Sequence, residues 1–197
     1  VEDTAFKLTP ITVSLTDTDG SEHISSITMS GLLAGSVLTD GTHSFTATSS
    51  STSVDITSWT LTSLSFTPPH DYNGTVTLSL SATSTEASGQ SATTTATLPI
   101  QVTGVNDTPV AVADSASISE GATSAISGSV ITNDTDVDGD KLAVAAVNGQ
   151  SALLGKDVAG SHGSFHINAD GSYTYLLTSG DAQVHALPED PVSRMRL

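Results

Sequence analysis

Apolar and small polar residues alternate one by one along much of this chain, in runs such as Thr75-Val76-Thr77-Leu78-Ser79-Leu80 and Leu61-Thr62-Ser63-Leu64-Ser65-Phe66. A period of two puts one face of an extended strand on a core and the other in water, and the 3.6-residue period of a helix is nowhere sustained. The pattern predicts an all-β chain. Turn residues cut the runs short at Asp19-Gly20, Asp40-Gly41, Asn73-Gly74, Gly89, Asn148-Gly149 and Asp170-Gly171, and many short strands with frequent turns predict β-sandwiches. Seven strands are expected first, near 5–15, 23–30, 36–38, 42–47, 52–66 with a break near Asp55, 75–83 and 91–103. At Gly104-Val105-Asn106-Asp107-Thr108-Pro109 the alternation stops and Pro109 forces Thr108 into an extended conformation. The junction is placed there, giving one module over 1–104 and a second over 105–197. Strands in the second are expected near 110–119, 123–131, 141–147, 163–167 and 172–177.

The second module reads as incomplete. No strong strand pattern follows Leu177, although an open sheet edge needs a partner. Residues 187–197 also change character, holding both arginines of the chain, and are expected to be non-native or disordered. Within the first module Trp59 and Phe66 are expected in the core, and Tyr72 is expected to bond its hydroxyl back to nearby backbone.

Charge narrows the possible partners. The formal net charge is −16 with five Lys and Arg among 197 residues, which removes the basic surface that nucleic acids and anionic membranes require. No apolar run approaches the 18 to 20 or so residues of a membrane span, and the N-terminus lacks a signal pattern, so the chain is read as an interior piece of a longer protein. It has no cysteine, so core packing or bound ions must hold the fold. Nor does any serine stand in a nucleophile-elbow context, and no enzymatic activity is expected.

The chemistry that remains is carboxylate chemistry. Asp134, Asp136 and Asp138 alternate and are followed by Gly139 and Asp140, a spacing that lets side-chain oxygens wrap calcium around a glycine turn. A helical calcium hand needs a glutamate at the twelfth loop position, where this chain has Ala145. Strand counting supplies more ligands. With seven strands alternating in direction, the loop Asp17-Thr18-Asp19-Gly20-Ser21-Glu22, the loop His70-Asp71-Tyr72-Asn73-Gly74 and the exit Asn106-Asp107 are expected at one pole. Two carboxylates about 4 Å apart repel by roughly 4 kcal/mol at an effective dielectric near 20, so such a cluster needs a cation. The expected calcium ligands are Asp17, Asp19, Glu22, Asp71, Asn106, Asp107, Asp134, Asp136, Asp138 and Asp140. Asp40, Asp55 and Asp170 are read as turn residues set by backbone needs.

Residues Asn106-Asp107-Thr108-Pro109-Val110, Asn133-Asp134-Thr135-Asp136-Val137-Asp138-Gly139-Asp140 and Asn168-Ala169-Asp170-Gly171-Ser172-Tyr173-Thr174-Tyr175 resemble a VCBS-type repeat. Val1-Glu2-Asp3-Thr4, Asp17-Thr18-Asp19-Gly20 and Asp71-Tyr72-Asn73-Gly74 resemble the cadherin-like or bacterial immunoglobulin-like modules of RTX adhesins. The resemblance implies two tandem sandwiches in a long secreted protein, exported by type I secretion, held at the bacterial surface and used in attachment and biofilm formation. It further implies calcium at the module junctions, neighbouring modules of the same chain and a host or matrix surface as partners, and a monomer. The rival reading is a lectin-like module whose calcium coordinates carbohydrate directly.

Overall fold

The computed structural model of the chain describes residues 1–17, 19–180, 184 and 193–196. They are all-β, with two short 3-10 turns at Leu61–Ser63 and Ser151–Leu153, and fall into two compact units, Val1–Asn106 and Asp107–Leu197. Among them no helix is long and apolar enough to cross a membrane.

The first unit is a sandwich of two antiparallel four-stranded sheets. One has the order β1 (Phe6–Lys7), β6 (Ser65–Thr67), β3 (Val37–Thr39), β4 (Ser44–Thr46); the other runs β5 (Val54–Asp55), β2 (Glu22–Ser30), β7 (Gly74–Glu86), β8 (Ser91–Val102). Alternate residues of both sheets meet in one core: Leu38 and Phe66 from the first, Ile27, Met29, Val76, Leu78, Ile100 and Val102 from the second. Phe66 is fully buried, with the Phe6 ring edge-on to it at 5.8 Å, and Trp59 packs partly buried against the cluster. The Tyr72 hydroxyl donates to the Thr75 carbonyl at 3.1 Å, which is the structural role expected for it. On the outward side of β2, β7 and β8, hydroxyls bond across the strands, Thr83 to Thr93 at 2.9 Å, Thr85 to Ser91 at 3.0 Å and Thr85 to Ser25 at 2.8 Å.

Two expected strands come out differently. The run at 5–15 is a strand only at Phe6–Lys7; Pro10 has no N–H to give a ladder and restricts Thr9 before it. The run at 52–66 is two strands in different sheets. The Asp55 carboxylate accepts the Thr57 N–H and hydroxyl at 2.8 and 2.6 Å, closing a tight turn that ends β5, and the chain then crosses past Trp59 to enter the other sheet as β6.

In the second unit a four-stranded sheet has the order β10 (Ile126–Ser129), β13 (Ser172–Leu177), β12 (Gly163–Ile167), β11 (Asp157–Ala159), and β9 (Ser115–Ile118) pairs with β14 (Ser193–Arg196). A strand does follow Leu177, since Ser193–Arg196 pairs with β9; 187–192 and 197, which the expectation for the tail also covers, lie outside the described residues. The hairpin turn Asn168–Gly171 is as expected, with the Gly171 N–H donating to the Asn168 carbonyl at 3.0 Å and Gly171 at φ 82°. The expected strand at 141–147 is absent: Val147 only bridges Gln150 across the Asn148-Gly149 turn. Of 110–119 only Ser115–Ile118 forms a strand. The core is thin, centred on Val147, Ile167 and Tyr173.

Candidate functional site

The carboxylates singled out in the sequence occupy three places. Strand β7 decides the first two. Its start, Gly74, pairs with Val102 at the end of β8, and its end, Glu86, pairs with Glu22 at the start of β2. Thirteen extended residues span roughly 40 Å. The loop Asp17–Glu22 therefore sits at one end of the first unit, while Asp71 and the exit from β8 toward Asn106 sit at the other. The expected convergence of Asp17, Asp19 and Glu22 with Asp71 on one pole is thus corrected. The physical reason is parity: counting 52–66 as one strand misses one reversal of chain direction, and every later loop is then assigned to the wrong end.

At the far end, Asp19 Oδ1 accepts the Ser21 N–H at 2.8 Å and hydroxyl at 2.6 Å, and these bonds hold its carboxyl below the usual carboxylate range. The Ser21 hydroxyl also lies 2.7 Å from Glu86 Oε2. Glu22 is pushed up, first by desolvation and then by the charges of Glu86, Asp17 and Asp19. Glu86 is the member that sequence reading missed, because only the β2–β7 register brings it beside Glu22.

An acid raised in the folded state destabilises the fold while ionised. That penalty is full above the raised value, shrinks as pH falls through it and is gone below the ordinary value of 4.5. Glu22→Gln is accordingly expected to raise the melting temperature of the first unit at pH 7.5 in chelator, with no gain near pH 4. Trp59, the one tryptophan of the chain, reports it by fluorescence.

At the near end, Glu2 is buried. Its N–H donates to the Thr103 carbonyl at 3.0 Å and its Oε1 accepts the Val105 N–H, while Oε2 is buried without a hydrogen-bond partner among the described residues. A carboxylate oxygen left so is costly unless a cation neutralises it. Beside it in sequence, Asp3 meets His70 and Asp71, with one ligand atom of each within 4.8 Å of the others. The Asp71 N–H donates to Asp3 Oδ1 at 3.1 Å, and His70 Nδ1 lies 2.7 Å from Asp71 Oδ1. Asp3 and Asp71 both have positive φ, 53° and 55°, a region that Asp tolerates better than most residues.

The third place is the loop Asp134–Asp140 of the second unit. Asp134 Oδ1 accepts the Val112 N–H at 2.8 Å, so a side chain takes a group that a strand over 110–119 would have paired. Asp136 Oδ1 accepts the N–H groups of Asp138 and Asp140 at 2.9 and 3.3 Å, and Asp138 Oδ2 accepts the Asp107 N–H at 2.7 Å. Gly139 makes the turn with φ 74°. The Asp107 and Asp138 carboxylates bring an oxygen each within 4.8 Å. Oxygen donors so grouped suit a hard cation such as calcium.

Asp40 was read as a turn residue and does more. It is buried, and it accepts the N–H groups of Thr42, His43 and Thr60 at 2.9, 2.6 and 2.7 Å, with His43 Nδ1 at 3.0 Å. The His43 and Thr60 backbone bonds hold its carboxyl far below the usual range, and His43 stacks on Trp59 at 5.5 Å. Asp170 keeps the simple role expected, accepting the Ser172 N–H at 3.0 Å.

Residues 106–190 match the family described as the bacterial cadherin-like domain. The match lies on the second unit, where a cadherin-like sandwich is one of the two expected, and it points to a structural, adhesion-type module of the cell exterior. Neither the curated proteins nor the solved structures include a match to this chain.

Proposed function

We propose that this chain is a calcium-stiffened spacer from the arm of a long, RTX-type surface adhesin, exported by type I secretion and used in attachment and biofilm formation. Its second unit serves as a VCBS-type repeat. The observation that carries the reading is Glu2, a buried carboxylate with one oxygen unpartnered, because a hard cation is the companion such a group needs. In the second unit, Asp134, Asp136 and Asp138 each spend one oxygen on loop backbone, which presents the other to an ion. The residues fit calcium in donor type: in the first unit Glu2, separately Asp3 with Asp71, and at the far end Asp17, Asp19, Glu22 and Glu86; in the second unit Asp107 with Asp134 to Asp140. Bound calcium would neutralise these carboxylates. The partners are neighbouring modules of the same chain and, at the end of the arm, a host or matrix surface.

The test is a thermal melt in about 10 mM calcium and again in excess chelator. Extracellular sites of roughly 10⁻⁴ to 10⁻³ M affinity give about 1 to 3 kcal/mol each by mass action, or about 5 °C or more of melting temperature. Equal melting temperatures in the two buffers would end the calcium reading.

A further inference from the structure

Strand β8 is an edge strand among the described residues: in the order β5-β2-β7-β8 its one neighbour is β7. Its first seven residues, Ser91 to Thr97, are all exposed, so neither face of this half is covered. An antiparallel strand directs its N–H and C=O groups alternately to its two sides, and this edge offers roughly half of them to whatever pairs with it. Natural edges are usually blocked by lysine, proline or a bulge. Here Pro99 blocks only the other half, and no ionisable residue stands between Glu86 and Asp107.

We propose that this edge pairs with the same edge of a second copy of the chain, antiparallel about Thr94, joining two four-stranded sheets into one of eight strands. Two features select a second copy as the occupant. A chain of net charge −16 repels itself over most of its surface, and Ser91–Thr97 is an approach free of carboxylates. The sequence there is also palindromic: Ala92-Thr93-Thr94-Thr95-Ala96 reads the same in both directions. A twofold contact must be self-complementary, and this register sets Thr94 opposite Thr94, Thr93 opposite Thr95 and Ala92 opposite Ala96. Facing threonines are a favourable cross-strand pair. The contact is small, so the association is of the weak class, and it gives tandem copies on adjacent arms a lateral grip. The monomer expected from the sequence is replaced by a monomer–dimer equilibrium.

Sedimentation equilibrium in chelator, which removes any bridging by calcium, is the test. The unmodified chain should dimerise in the range of hundreds of micromolar. Thr94→Asp and Thr94→Lys each place like charges opposite themselves and should weaken association at least tenfold; mixed one to one they should associate again. Circular dichroism verifies that each variant is folded. The chain has no cysteine, so Thr94→Cys should oxidise to a covalent dimer. Ala92→Cys should not, because its copies lie four residues, or about 13 Å, apart in this register. A chain that stays monomeric at about 1 mM, charge variants that associate as the parent does, or equal crosslinking at 92 and 94 would overturn the proposal.

Discussion

Phe66→Ala is expected to lower the stability of the first unit by about 3 to 5 kcal/mol, the range for removing a large aromatic from a packed core. The ring is fully buried and on β6, where its neighbours across the ladder are Phe6 of β1 and Leu38 of β3. Facing it are the buried residues of the other sheet, so truncation opens a cavity bounded by backbone that cannot easily collapse. A domain of this size has about 5 to 15 kcal/mol in all, and each kcal/mol moves its melting temperature by several degrees. The Trp59 fluorescence transition should therefore fall by roughly 15 °C or more. A shift of only a few degrees would mean that the two sheets do not share the core described.

The second large effect is expected from Asp136→Ala/Asp138→Ala, read with and without calcium. In calcium the double variant should lose the stabilisation of the loop site, about 1 to 3 kcal/mol by mass action, together with the bonds that Asp136 accepts from the N–H groups of Asp138 and Asp140. In chelator the balance differs, because the same change removes two like charges from a loop that also holds Asp134 and Asp140 and meets Asp107. The variant should thus melt well below the parent in calcium and close to it in chelator. The near-ultraviolet dichroism of Tyr173 and Tyr175, both buried in the second unit, follows the transition. The same deficit in both buffers would assign the loop a purely structural role.

The features legible from sequence were those decided by neighbours along the chain. Alternation located β2, β7, β8, β12 and β13 to within a few residues, since burial of one face imposes the period of two directly. The loop at Asp134 to Asp140 was readable in part for the same reason: Asp136 bonds backbone two and four residues away, whereas Asp134 and Asp138 reach back to Val112 and Asp107. What spacing could not reveal was the route between sheets. The Asp55–Thr57 turn diverts the chain after two paired residues, and this one unseen crossing moved Asp17, Asp19 and Glu22 to the opposite end of the module. Asp40 was missed because three of its partners are local but Thr60, twenty residues on, turns a hairpin residue into a tie between segments. In the second unit Lys141 to Val147 has a strand's alternation, but among the described residues Val144 meets the Asn168–Gly171 turn at the Ala169 carbonyl and no ladder forms along it.

The hydroxyl rows of β2, β7 and β8 lead to a last point about solvent. Thr83, Thr85, Ser91, Thr93 and Ser25 bond to one another, and this surface carries no formal charge for dissolved ions to screen. The acidic ends of the same unit respond strongly, as the Debye length shrinks from about 10 Å at 0.1 M salt to 3 Å at 1 M. Moving from dilute water to brine thus quiets the repulsion at the ends and leaves the broad face between them as it was.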